Sequence, residues 1–452
     1  MNQAPDVGPL PAIAVPGVTQ FALASGLPVA TVRRDVAPIV SAAFMFRTGA
    51  AMDPPGKAGL ASLTAEMLDE GAGARDALAI AAELEQLGAD LWVGSGRDAS
   101  QLSVQAPRET FHQAMAIAAD VLARPRLGDA DWRRVQADRR TGVVQRRDQP
   151  EAVVNVVSDR ILFGDNHPYG QPVDGLERSI DALTLDDIRA FHGANYHPAQ
   201  ASLVVTGDFD ADSLRDRLEA TLAGWNPGAV AAAPVFPPWP ARPRLVIVDR
   251  PAAPQSIVRL VAAGADRLSP DRPGMSMLNA VLGGSFTSRL NFNLREKNGF
   301  TYGAASSFAF MRHAGSFAAR SAVFVDVTAA AVREMLSELT GMRERPITTE
   351  EHAKGRATLL MRVAEGLAST GGMASTFGEL GLYGLPLDEP VRFVAALERT
   401  TAEDLRTLAA RYIDPDAASI VIVGDRAAIE PSLRELGLPA PVICNADGDP
   451  VG

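Results

Sequence analysis

The chain has 452 residues, a net charge of −11, and is 47% hydrophobic and 21% charged. That length exceeds the roughly 250–300 residues at which a single hydrophobic core stops growing, so two domains are expected. The acidic balance disfavours polyanions, which argues against nucleic acid and anionic membrane as partners. No stretch of about 18 consecutive apolar residues offers a membrane span. The one cysteine, Cys444, allows no intrachain disulfide and no cysteine-based zinc site.

Residues 1–20 (MNQAPDVGPLPAIAVPGVTQ) read as a Pro-rich extended arm without the basic start and apolar core of an intact signal peptide. A periplasmic and a cytoplasmic location both stay open. A β-branched and apolar run at Val40–Gly49 predicts a strand, and KAGLASLTAEMLDE (57–70) predicts a helix with Leu60, Leu63, Met67 and Leu68 on one stripe. A second helix, Ala77–Leu87, stops at Gly88, and Leu91–Gly96 then reads as a sheet edge.

The chain then repeats itself. Residues 184–208 (TLDDIRAFHGANYHPAQASLVVTGD) and 401–425 (TAEDLRTLAARYIDPDAASIVIVGD) each give a capped helix, a Tyr, a Pro and a strand closing on Gly-Asp. Upstream, Val40–Gly49 matches Ser256–Gly264 at a similar offset. Between the copies, WNPGAVAAAPVFPPWPARP (225–243) has the composition of an extended linker. The resulting plan is an arm (1–20), a first domain (21–224), the linker (225–243), a second domain (244–440) and a tail (441–452). Alternating strands and amphipathic helices in each copy predict an α+β fold: two homologous α/β sandwiches, each a mostly antiparallel sheet with helices on one face.

In the second copy, GGSFTSRLNFNLREKNGFTYG (283–303) predicts a helix capped by Ser285 or Thr287, ending at Asn298-Gly299, with a strand starting at Phe300. Arg295 and Tyr302 lie seven apart in this segment. Arg donors can hold peptide carbonyls, and a Tyr hydroxyl can donate to a developing oxyanion. Taken singly, Arg295 reads as a helix-dipole cap and Tyr302 as the rim of a core. Arg289 reads as an anchor through an ion pair. The six histidines (112, 167, 192, 197, 313, 352) show no i, i+3 or i+4 pair for a helical metal site.

The layout resembles the pitrilysin/insulinase (mitochondrial-processing-peptidase-like) family of zinc metallopeptidases through nearly the whole chain. The resemblance rests on the Gly-ended strand before the 57–70 helix, Met67-Leu68, Leu87-Gly88-Ala89, Asp148-Gln149-Pro150, His167–Gly170, Pro254-Gln255-Ser256 and the 283–303 segment. In that family the first helix carries His-x-x-Glu-His, two zinc ligands and a general base. Set against it, the histidine positions fall on Ser62 and Glu66 and the base on Ala65. The third ligand, a Glu about 76 residues further on, would fall in RRTGVVQRR (139–147), which has no acid. The resemblance therefore implies no metal in this chain and no cofactor of its own.

It further implies a non-catalytic subunit of a heterodimeric bacterial zinc endopeptidase. The partner is a homologous His-x-x-Glu-His subunit that carries the zinc. This chain would lend Arg295 and Tyr302 to that partner's site, and a peptide substrate would add to an edge strand at Ser306, Ser307 and Phe308. Alone, the chain would be inactive, and a homodimer stays open. The alternative is a proteolytically inactive structural or peptide-binding homologue, as respiratory-complex core proteins of this family are.

Overall fold

The computed structural model describes residues 13–230 and 232–451; most of the predicted N-terminal arm, residues 1–12, lies outside them. The first half opens with β1 (Val18–Ala22), β2 (Pro28–Arg33), β3 (Ile39–Phe46) and α1 (Leu60–Met67). A short hairpin of β4 (Gly71–Ala72) and β5 (Arg75–Asp76) leads to α2 (Ala77–Gln86), and a longer one pairs β6 (Asp90–Ser95) with β7 (Ser100–Pro107). Five helices follow: α3 (Phe111–Ala123), α4 (Asp129–Arg146), α5 (Pro150–Phe163), α6 (Glu177–Ala182) and α7 (Leu185–Asn195). The half ends with β8 (Ala201–Gly207) and α8 (Ala211–Leu222).

The second half begins with β9 (Leu245–Asp249), β10 (Gln255–Gly264) and α9 (Arg272–Leu282). α10 (Arg289–Asn291) runs on as a π-helical turn, Phe292–Lys297. Then come the hairpin β11 (Ala304–Phe310) and β12 (Gly315–Phe324), and α11 (Thr328–Glu344), α12 (Thr349–Gly366), α13 (Thr370–Tyr383), α14 (Glu389–Arg399) and α15 (Ala402–Tyr412). β13 (Ser419–Gly424), α16 (Arg426–Arg434) and β14 (Val442–Cys444) complete it.

Each half builds one six-stranded sheet, ordered β1-β2-β8-β3-β7-β6 and β11-β12-β10-β13-β9-β14. Pairing is antiparallel except at β2–β8, β9–β13 and β9–β14. The α+β architecture of two homologous sandwiches is therefore the observed one. The repeat maps strand on strand, β3 on β10 and β8 on β13. It also maps α7 on α15, whose starts share a reciprocal Thr–Asp capping box (Thr184/Asp187 and Thr401/Asp404).

Period-two alternation decides which face each side chain serves. In β3, Val40, Ala42, Phe44 and Phe46 enter the first core with α1, α3, α4 and α7, while Ala43 faces the other way. In β13, Ile420 and Ile422 enter the second core, and Val421 and Val423 face the other way. Each sheet thus carries its own helices on one face, and its outer face is covered by a helix from the opposite half. Val153, Val154 and Val157 of α5 pack on β9, β10 and β13. Met373, Ala374, Phe377 and Leu380 of α13 pack on β2, β3 and β8.

The 225–243 linker has no helix or strand among its described residues, yet it is anchored. Trp225 is buried against Phe44 and Phe46, and Phe236 and Trp239 pack on Phe163, His167 and Tyr169. Residues 442–444, inside the stretch expected to be a tail, form an edge strand on β9.

Candidate functional site

α1 sits where the sequence places a metal-binding helix, though it is shorter than expected, Leu60–Met67 rather than 57–70. Its N-cap, Gly59, has no side chain to offer and adopts φ +97°. The Asp53 carboxylate takes over the capping, accepting from the N–H groups of Gly59 and Ala61 at 2.8 Å each. Burial nevertheless pushes its pKa up to about 7. Ahead of this loop Gly49 lies so close to the β6–β7 turn that a Cβ would stand 2.6 Å from the Arg97 carbonyl oxygen, so only glycine fits.

On α1, Ser62 and Ala65 are buried and Glu66 is partly exposed. Arg139 of α4 reaches across to both histidine-equivalent positions. Its guanidinium donates to Ser62 Oγ at 2.9 Å and to Glu66 Oε2 at 2.6 Å, and lies 3.6 Å from Asp174. A fixed cation thus sits between the two positions at which the resemblance expects histidines. Zinc needs several anionic or imidazole donors there, and this set supplies no imidazole and two carboxylates, Glu66 and Asp174, both already paired with a guanidinium. The residues do not fit a zinc ion. Among the described residues no group of three or more His, Cys, Asp and Glu converges elsewhere.

The Arg295–Tyr302 segment is built differently from the sequence expectation. Ser288 is the N-cap in place of Ser285 or Thr287, and Ser285 donates instead to the Ala280 carbonyl at 3.1 Å. The helix ends at Asn298-Gly299 as expected, with Gly299 at φ +66°. The next strand starts at Ala304 rather than Phe300, because Thr301 Oγ1 bonds the Ala322 and Gly303 carbonyls at 2.6 and 2.9 Å and turns the chain first. Arg289 does anchor the segment, through a two-pronged pair with Glu351 at 2.6 and 2.8 Å. That pair pulls the Glu351 pKa down to about 2.

Arg295 lies on the π-helical turn, a rare geometry that recurs at functional positions. Its guanidinium stacks over the Phe286 ring at 4.7 Å and stands 3.3 Å from the Glu296 carboxylate. Tyr302 is 83% exposed, which rules out the core-rim reading, and Phe286 and Phe292 are 67% and 61% exposed. Asn291 braces this surface from below, donating to the Phe286 carbonyl at 2.7 Å and accepting from Ala304 N–H at 3.1 Å.

Both predicted edges are outer strands of their sheets, β6 as Asp90–Ser95 and β11. On β11, however, two outward N–H groups are already taken, Ala304 by Asn291 and Ser306 by the Gly283 carbonyl at 3.0 Å. Ser306 also donates its hydroxyl to Asn279 at 2.7 Å. By the alternation of antiparallel pairing, the outward groups left for an added strand begin at Phe308. Ser307 is exposed.

Two family models match most of this architecture. The insulinase family M16 model covers residues 28–165 and the peptidase M16 inactive-domain model covers residues 182–359. The chain belongs to the M16 (insulinase) peptidase family. A Streptomyces coelicolor protein described as an uncharacterized zinc protease is 24% identical over 376 residues, 80% of each chain. A crystal structure of a Pseudomonas fluorescens peptidase M16 inactive domain superposes with a TM-score of 0.84 at 25% identity, covering 90% of this chain and 98% of its own. A Helicobacter pylori protein described as a non-peptidase homologue is 24% identical over 274 residues, 60% of this chain and 63% of its own.

Within this M16 chain His167, His192 and His352 make structural contacts. His192 Nε2 bonds the Leu122 carbonyl at 2.9 Å and stacks on Tyr196, and His167 Nδ1 accepts from Tyr169 N–H at 3.0 Å. His352 Nε2 bonds the Thr400 carbonyl at 2.7 Å. Sequence reasoning missed three residues of this candidate site. Arg139 was visible only as part of a basic run, and Phe286 and Asn291 only as neighbours of a motif. The polar signal at Asn291, a buried amide inside a helix start, was the one clue available.

Proposed function

We propose that this chain is a non-catalytic M16 subunit that completes the active site of a homologous, zinc-carrying partner. The observation that carries the reading is Tyr302, a tyrosine 83% exposed beside a π-helical turn, on a segment braced by Asn291 and anchored by Arg289. A surface tyrosine gains nothing for the core at that exposure, and Arg295 spends its charge only on the adjacent Glu296 and the Phe286 ring. Tyr302 faces outward and Arg295 is partly exposed, which supports a role for both toward a second chain. In a partner's site the Tyr302 hydroxyl donates to the oxyanion formed on the scissile carbonyl, and Arg295 holds substrate carbonyls in register. The metal, its ligands and the base come from the partner's His-x-x-Glu-His helix. Arg139, seated on Ser62 and Glu66, supports the assignment of chemistry to the other chain. Edge strand β11 supports a peptide substrate, engaged from Phe308 onward.

The test is peptidase activity of this chain, of a homologous M16 chain that carries His-x-x-Glu-His, and of their mixture. Only the mixture cleaves, and Arg295→Ala or Tyr302→Phe in this chain lowers kcat about 10²–10³-fold without loss of the complex. A mixture no faster than the homologue alone, or variants without effect, sinks the reading. That result would favour the second one, a proteolytically inactive binding or structural homologue, in line with the name of the Helicobacter relative.

A further inference from the structure

α5 covers β9, β10 and β13 on the outer face of the second sheet; the cluster they form reaches β12 at Ala322 and does not extend to β11. Beside it lies a 480 Å³ cavity lined by Arg97, Asn155, Asp159, Arg259, Arg320 and the β11 residues 305–307, with Ala318 at its floor. Three guanidinium groups and one carboxylate share it. Asp159 is committed to Arg97, whose other nitrogen donates to the Tyr169 carbonyl at 2.7 Å. Neither Arg259 nor Arg320 has a carboxylate partner within 4.0 Å among the described residues. They stand directly opposite each other in the β10–β12 register, a placement in which like charges repel. Arg259 bonds only the Asn155 side-chain oxygen, and its Nε is buried without a partner. Arg320 is exposed, and no carboxylate among the described residues lies within 4.0 Å of it.

Two facing, underused guanidinium groups, one with an orphaned buried donor, have the donor geometry that a planar oxyanion satisfies in forked fashion. We infer that this cavity binds a carboxylate between Arg259 and Arg320, with the Ser307 hydroxyl at its rim. On the reading of β11 as a peptide-binding edge, which this inference deepens, the carboxylate belongs to the peptide, as an acidic side chain or a free C-terminus. The site would then select acidic substrates. A free small dicarboxylate offers the same chemistry and is the other source.

The experiment is calorimetric titration of the full chain with glutarate and with two extended hexapeptides that differ by one Glu→Gln change. Glutarate and the Glu peptide bind, and the Gln peptide binds at least about tenfold more weakly. Arg320→Met, at an exposed position, weakens both carboxylate ligands at least about tenfold and leaves the thermal midpoint of the unliganded chain unchanged or raised, because a like-charge pair is removed. Arg259→Met acts in the same direction on binding. Glutarate binding that depends on both arginines, with neither peptide bound, upholds the oxyanion site and overturns the peptide reading of β11. Equal binding of both peptides, indifferent to either arginine, overturns the oxyanion site and leaves the edge-strand reading standing. No carboxylate binding at all, or binding unchanged in both variants, also overturns it.

Discussion

Arg139 is the residue that makes the face of α1 least suited to a metal ion. It bonds a buried hydroxyl and a half-exposed carboxylate on α1, and charge-assisted hydrogen bonds of that kind contribute about 1.5–3 kcal/mol each at best. Glu66 retains solvent access, which screens its share, so Arg139→Ala is expected to cost about 1–2 kcal/mol. Chemical denaturation measures the change. Elemental analysis of the same variant should still find no stoichiometric zinc, since removing the cation restores no imidazole; a bound equivalent would contradict the account of this site. That Ser62, Ala65 and Glu66 offer no imidazole was legible from the letters alone, because imidazole chemistry is a property of residue type. The replacement by Arg139 was not, because it joins positions 73 and 77 apart and depends on how α4 lies across α1.

The element that displays Arg295 is held from two sides, and each hold predicts something different. Asn291 is buried and satisfies one carbonyl and one N–H across the turn. Asn291→Ala leaves both groups unpaired, at a cost of about 1–3 kcal/mol per buried group. Hydrogen exchange should speed up at Ala304 and Ser306 while β13 stays protected; unchanged exchange at both would mean the brace is redundant. The Arg289–Glu351 pair ties the start of the same element to α12. Its carboxylate has a folded pKa near 2 against an ordinary value of 4.5, so its stabilisation is full above about pH 4.5 and is lost as pH falls toward 2. Glu351→Gln should therefore unfold at lower denaturant than the parent at pH 7, with the two curves converging by about pH 2–3. Parallel pH profiles would show that the pair contributes nothing. The sequence located this element and its end at Asn298-Gly299, where glycine's left-handed conformation is a local signal. It misplaced the start of β11 by four residues because Thr301, a good strand former, spends its hydroxyl on two carbonyls and bends the chain instead.

At the scale of the molecule, the two halves are interlocked rather than strung together. α5 leaves the first half to cover the second sheet and α13 makes the reverse journey. A sequence repeat announces two similar sheets, but Val153, Val154 and Val157 look the same whichever sheet they cover, so the exchange was not readable. The C-terminal segment closes the arrangement. β14 extends the second sheet beside β9, and the turn after it sends Asp447 to Arg147 at 2.7 Å and Asp449 to Arg160 at 2.8 Å and Arg178 at 3.0 Å, all three arginines in the first half. The side chain of Arg160 is 1% exposed; it also donates to the Asp447 main-chain carbonyl, and its partner outside this segment, Asp165, is mostly in solvent. Breaking a buried pair from one side typically costs about 3–5 kcal/mol, because the stranded charge stays out of water. Removing residues 441–452 should lower the unfolding free energy by about that amount. It should also split a single calorimetric transition into two, since the bolt between the halves is gone. Asp447→Asn with Asp449→Asn keeps β14 in place and isolates the charges: a smaller loss with one transition retained assigns the coupling to the strand, whereas splitting in this variant as well assigns it to the arginine pairs. An intact single transition after truncation would show that the exchanged helices alone make the two halves one cooperative unit.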